Sequence, residues 1–558
     1  MAKSTTPRTA RDYNVRGQHH VQHGQFDLAL KDFNKVIELE PDNPEGYYYR
    51  GSLHCIRLDA KQDFEAGIAD FTTVVSMGAA DAVIYNHRSF AYRMLEKYPE
   101  AFADLNIAIK LEPNNPQQYL DRGSLYADQG DFQNALHDLN KSIALDPGAS
   151  DAYTQRAGVF LALGQNDKAI ADCTKAIAID PEDDEAFSIR GDAYCFHENP
   201  DYYRAVREYS QAIALEPDFV QYYIDRSYAH LMTHNPKKAL HDLKTALELE
   251  PDTAEIYTSR AQIYSETNQY DQAIADCTKA LKLDPQSDEA FQIRGNAYCF
   301  QEYPEYERAI EDYRQAIQIN PEQSLYYFER AFAYQMCEKY PEALADLNKA
   351  IKLDPKRPEL HRAHAEVLLE LKRYDQAVKE CEKGLTLNPK DDNLLATMGS
   401  VYFFKENPDY RKAVEYYDKA IDIQFTQGRY YYARAFAHLK LNEDDDALDD
   451  FSKAIMFKCG SGDVYIRRSQ IFSKKGRYDD AIAELDKAIE LEPNNGVAFA
   501  YRGKIYAQLN DFENMQLDYE HAALRGVKID PESYMLPAPE FKKNSNIITP
   551  DPSVWRKK

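Results

Sequence analysis

The sequence of 558 residues has one tryptophan, no run of 18 apolar residues and no cysteine pair at CxxC spacing. Without such a run no helix is long and apolar enough to span a bilayer. Residues 1–8, Met-Ala-Lys-Ser-Thr-Thr-Pro-Arg, lack the apolar stretch of a secretory signal. A cytoplasmic protein with reduced thiols is therefore expected. P-loop, GxSxG, HExxH and GxGxxG motifs are also missing, which removes the common phosphate cradles, serine nucleophile elbows and zinc helices. His19, His20 and His23 form a local group, but with no cysteine or acid at ligand spacing. No enzyme, metal or cofactor is expected. Bases are scarce as well, with Lys+Arg 67 against Asp+Glu 92 and a net charge of -25. Nucleic-acid affinity rests on neutralising phosphates, so such a partner is not expected.

What is abundant is tyrosine, 42 residues of it, and self-similarity. The phrase A-I-x-D-x-x-K-A-I-x-L-x-P recurs almost end to end, closing at Pro41, Pro113, Pro147, Pro181, Pro217, Pro251, Pro285, Pro321, Pro355, Pro389 and Pro493. Most neighbouring prolines lie 34 or 36 apart, and about 15 units fit between residues 9 and 524. Each unit reads as two amphipathic helices closed by an Asp-Pro or Glu-Pro stop. Cys173, Cys277 and Cys381 lie 104 apart, as do Cys195 and Cys299. That interval is the length of a duplicated three-unit cassette, and these cysteines read as copies of a small buried residue.

In one unit the repeated residues are Tyr257, Arg260, Ala261, Tyr264, Ala273, Cys277, Ala280 and Pro285. In the next they are Phe291, Arg294, Gly295, Tyr298, Ala309, Tyr313, Ala316 and Pro321. This pattern resembles the tetratricopeptide repeat family. The resemblance implies an all-α fold, a right-handed α-solenoid of about 15 helix-turn-helix repeats, whose first helices line a concave groove that binds peptides or protein segments. The expected organisation is an N-terminal extension at 1–8, the array at 9–524 and a C-terminal tail at 525–558. In that tail, Trp555 and Arg556-Lys557-Lys558 suit a cap on the last repeat, a disordered end, or a basic segment for an acidic groove.

One position departs from the family pattern. Where an aliphatic residue is usual, position 7 of the first helix is arginine in 13 units, from Arg16 to Arg502. Sixteen residues after most of these arginines (18 or 20 in longer units) stands an acid on the second helix, such as Asp138 after Arg122 or Glu208 after Arg190. His364 keeps an acid, Glu380, whereas Met398 faces neutral Tyr416. The spacing predicts an arginine–carboxylate pair inside each repeat rather than a row of ligand-binding cations.

The other face of the first helix, positions 2, 5, 6, 9, 12 and 13, lines the groove by resemblance. Over residues 114–355 these 42 positions hold ten acids and no Lys or Arg. In the last three units the sign reverses, with Arg429, Lys440, Arg467, Lys474 and Lys504. The candidate partner-binding residues are Asp192, Phe196, Asp225, Tyr228, Glu255, Gln262, Glu266, Glu289, Asn296, Phe300, Phe328 and Phe332. An acidic groove dotted with aromatics suits a basic or amphipathic protein segment. The Lys/Asn/Arg clamp with which chaperone-binding members of the family grip a carboxylate is not reproduced: position 5 is never Lys and position 6 never Asn. The expected function is a non-catalytic protein-interaction scaffold. Two alternatives are a co-chaperone-like adaptor without that clamp and a regulatory subunit of an enzyme complex. The sequence leaves the oligomeric state open.

Overall fold

The computed structural model describes residues 9–57 and 61–527. Among them are thirty α-helices, from Ala10–Gln22 to Phe512–Leu524, and no strand. They form consecutive pairs, so the described chain is an all-α array of helix pairs, with no described helix long and apolar enough to cross a membrane. The extension at 1–8 and residues 528–558 of the tail, Trp555 included, lie outside the described residues.

Local chemistry sets the helix ends. Asp81, Asp131, Asp183 and Asp391 each cap a helix by accepting a backbone N–H from its first turn. Within a pair, several first helices end at a left-handed residue, Gly130 at φ 70° or Asn268 at φ 60°, which turns the chain into the second helix. Most second helices stop at a polar residue before proline, such as Glu112 before Pro113 or Asn320 before Pro321, because proline has neither the N–H nor the room to continue.

The chain divides into two compact units, residues 1–259 and 260–558. In each, a small residue just after position 7 of the first helix meets a side chain on the second helix, and their sizes are matched. In the first unit Gly17 faces Phe33, Gly51 faces Phe71 and Gly191 faces Tyr209, where an added Cβ would come within 2.6, 3.1 and 2.7 Å of the ring. Ala157 instead shares its cluster with Cys173. The second unit repeats the rule, with Gly295 against Tyr313 and Gly399 against Tyr417, while Ala261 goes with Cys277 and Ala365 with Cys381. Cys173, Cys277 and Cys381 are thus volume partners of alanine. Burial pushes the Cys173 and Cys277 thiols up to about 12, which leaves them unreactive.

Candidate functional site

The predicted arginine–acid pairs form in all thirteen units. Arg122 is representative. Its Nε and Nη2 donate to the two Asp138 oxygens at 2.6 and 3.0 Å, a fork on a carboxylate. Its Nη1 donates to Asn106 on the preceding repeat at 2.6 Å. Tyr119 and Tyr126 flank the guanidinium at 5.9 and 6.0 Å. The hydrogen bond to Asp138 holds the Arg122 pKa above its ordinary value despite partial burial. Arg88, Arg156 and Arg330 are likewise flanked by a ring on each side, so in these repeats the two aromatic positions sandwich a structural cation.

The bond to the preceding repeat was not anticipated. Arg50 makes it to Asn34, Arg88 to Thr72, Arg156 to Asn140, Arg226 to Ser210 and Arg294 to Thr278. These arginines thus tie their own repeats to the ones before. Glutamate fits this geometry less well than aspartate. Arg190 contacts a single oxygen of Glu208, and Arg468 makes one contact at 3.0 Å, leaving its Nε and the Glu484 Oε2 without partners. In the unit that has His364 in place of arginine, Glu380 takes His361 at 2.9 Å and His364 at 3.4 Å.

With the arginines occupied, candidate ligand chemistry falls to the other face. In the first unit Asp192 lies on the helix Asp184–Cys195 and accepts the Tyr209 hydroxyl at 2.7 Å. Asp225 lies on Val220–Met232, held by the Gln221 amide at 3.0 Å. Burial raises the Asp192 carboxyl above the usual carboxylate range. Asp225 is pushed up to about 7, first by burial and then by the charges of Asp192 and Glu255, against the Gln221 hydrogen bond. Glu255 is exposed. Beside them Phe196 is 63% and Tyr228 40% exposed, their rings 6.3 Å apart and inclined by only 21°. Acids and exposed rings share this surface.

In the second unit the candidate residues separate into two groups. Glu266 and Glu289 are exposed, and the Gln262 amide donates to Glu266 at 2.7 Å. Asn296 is committed internally, accepting the Tyr313 hydroxyl at 2.5 Å and donating to buried Glu329 at 3.1 Å. Phe328 and Phe332, expected on the groove, are only 4% and 7% exposed. Phe332 stacks on Phe300 of the preceding first helix at 5.7 Å, and Phe328 lies under Arg357 at 5.4 Å. Adjacent first helices interlock through these large apolar groups, so the rings are core and not available surface. Two of the five bases near the C-terminal end are neutralised too: Arg467 pairs with Asp463 at 3.2 Å and Lys474 with Asp444 at 2.6 Å.

Two features were not singled out from the sequence. Cavities of about 380 and 430 Å³ open between neighbouring first helices of the first unit, with Asp121 and Arg93 in the lining of both. His438, Glu443 and Asp446 bring ligand atoms within 4.8 Å of one another. The His438 imidazole is already hydrogen-bonded to Glu443 at 2.7 Å, which reads as a polar contact at the start of the helix Asp444–Met456.

Sequence models described as tetratricopeptide repeat match residues 90–159, 150–183, 254–287 and 338–401. Another, described as TPR repeat, matches 17–54, 305–336 and 470–510, and together they cover more than half of the chain. A stretch of 118 residues is 28% identical to tetratricopeptide repeat protein 13 of Homo sapiens, over 21% of this chain and 13% of that protein. A stretch of 68 residues is 37% identical to a protein SGT1 homolog of Oryza sativa subsp. japonica, over 12% and 18%. The matched regions thus span less than a fifth of either relative. Among solved structures, the chain is similar to that of the APC/C hetero-tetramer Cut9–Hcn1, with a TM-score of 0.47, 14% identity, and coverage of 88% of this chain and 96% of that one. It is also similar to YrrB, described as a TPR protein with an unusual peptide-binding site, with a TM-score of 0.29, 27% identity, and coverage of 33% and 92%.

Proposed function

The chain belongs to the tetratricopeptide repeat family, whose members are protein-interaction scaffolds, and from that premise we propose that it is a non-catalytic scaffold holding basic, amphipathic protein segments on the acidic inner face of its first unit. The observation that carries this reading is the carboxylate set Asp192, Asp225 and Glu255. Among the described residues no Lys or Arg is ion-paired with any of the three, and mutual repulsion with burial lifts Asp225 to about 7. A cation placed among them removes that repulsion, which is a differential gain for a basic ligand. The exposed rings of Phe196 and Tyr228 offer apolar contact beside the charge.

The experiment is the binding of a fluorescent, helix-forming Leu/Lys peptide to the full chain at low salt. Reversing Asp192, Asp225 and Glu255 to Lys should weaken binding roughly 100-fold or more, taking about 1 kcal/mol for each lost charge pair. Binding should also fall as salt screens the field. Unchanged affinity in the triple variant refutes the assignment.

A further inference from the structure

We propose that the inner face between the helices Ala82–Met94 and Pro116–Asp128 carries a pocket that reads a single lysine side chain of a bound segment. This rests on the function proposed above and adds a subsite outside the carboxylate set used there.

The pocket's chemistry follows from two amides. Asn86 Nδ2 donates to Asp121 Oδ2 at 2.6 Å, and Gln118 Nε2 donates to Glu112 Oε2 at 3.3 Å. Carboxylates only accept, so they fix which way each amide points, and the two oxygens are the ends left over. Neither Asn86 Oδ1 nor Gln118 Oε1 has a protein donor, although Gln118 is only 1% exposed and both residues line the cavity of about 430 Å³. An amide oxygen withdrawn from water without a donor is costly, so the ligand group that fits is a donor. Asp121 lines the same space as a third acceptor, its carboxyl raised by burial and lowered by the Gln117 amide and by Arg93.

Three acceptors match the three N–H donors of an ammonium group. Val83, Phe90, Leu105 and Leu125 supply apolar wall for a four-carbon stem. A guanidinium prefers acceptors in one plane, and a primary amide would turn its own oxygen against those of the pocket. The charges around the site favour a cation. Arg93 is the one base in the lining, and its Nε and Nη2 are tied to Asp128 at 2.5 and 3.0 Å. His87 is held neutral, because burial lowers its pKa. The neighbouring cavity of about 380 Å³ sets Asp121, Asp151, Asp183 and Glu185 against that same arginine.

The test uses the full chain with four small probes, Nα-acetyl-lysine methylamide and its norleucine, arginine and glutamine counterparts, followed by ligand-observed NMR. The lysine probe should bind at least about tenfold more tightly than the other three, with saturation reaching its ε-methylene protons. Gln118→Met and Asn86→Leu should each remove about tenfold of that affinity, and Glu342→Gln, at an exposed carboxylate on the second helix Tyr340–Leu353, should leave it unchanged. Asn86 is only partly buried, so its variant still decides the matter if the Gln118 variant unfolds. Equal binding of the lysine and norleucine probes, or indifference to both variants, overturns the pocket. If the Leu/Lys peptide remains sensitive to Asp225 while the lysine probe ignores Gln118 and Asn86, the scaffold reading stands and the pocket falls. If that peptide does not bind at all, the scaffold reading falls, and the probe series still decides the pocket.

Discussion

Breaking one arginine–aspartate fork should cost different amounts from its two ends. Asp138 is almost completely buried, whereas the Arg122 side chain keeps 19% of its exposure. Arg122→Met therefore traps a carboxylate without its cation, worth about 4 kcal/mol including the loss of two flanking tyrosines. Asp138→Leu leaves an arginine that still reaches Asn106 and water, and should cost only about 2 kcal/mol. The double variant replaces the pair with apolar contact and should cost roughly 2–3 kcal/mol, a coupling of about 3 kcal/mol. Arg468 with Glu484, which make a single contact at 3.0 Å, supply the internal comparison. Their coupling should be nearer 1 kcal/mol. Stacked repeats open locally, so the readout is hydrogen exchange by mass spectrometry on the helices Pro116–Asp128 and Phe132–Leu145. Additive losses, equal costs from the two ends, or a full-sized coupling for Arg468 and Glu484 would refute the reasoning.

Two further outcomes follow from the same structure. The Asp225 carboxyl lies near 7 in the folded chain against an ordinary aspartate value of 3.8. The folded state thus binds the extra proton, and stability is lost as pH rises between these values. Asp225→Asn should stabilise by about 1–2 kcal/mol at pH 8, after discounting for partial exposure, and by almost nothing near pH 4. Thermal melts at the two pH values check this, and equal shifts contradict it. Gly191→Ala places a Cβ 2.7 Å from the Tyr209 ring and should destabilise by about 1–3 kcal/mol. Gly158→Ala meets only Ile189 at 3.8 Å and should stabilise by roughly 0.5–1 kcal/mol. Denaturant melts that rank these two the other way would remove the size-matching argument.

The repeat and its internal ion pairs were legible because both are written many times in one chain. An arginine followed at fixed spacing by an acid, with Met398 and Tyr416 losing both charges together, is a pairing that periodicity alone exposes. The link from such an arginine to the preceding repeat was not, because its acceptor varies among Asn106, Thr72 and Ser210 and belongs to another unit. Phe328 and Phe332 show the limit of a single helix wheel. The wheel places them on the inner face, but how closely the neighbouring first helix approaches decides whether that face is surface or core. The Gln118 pocket was hidden for a related reason. Its donor–acceptor pattern depends on Glu112, which lies just before the proline stop on a different helix pair.

The central claim is that a cation belongs beside Asp225, and proton linkage tests it most directly. A bound basic segment stabilises the ionised carboxylate, so binding must expel the proton that Asp225 carries below about pH 7. The measurement is the affinity of an N-acetylated Leu/Lys peptide, which keeps its own charge constant, from pH 5.5 to 8.5 at fixed ionic strength. Affinity should rise by roughly tenfold to thirtyfold up to about pH 7 and then level off, with Asp225→Asn flattening the profile. A flat profile for the unmodified chain, or an unchanged rise in Asp225→Asn, would contradict the account.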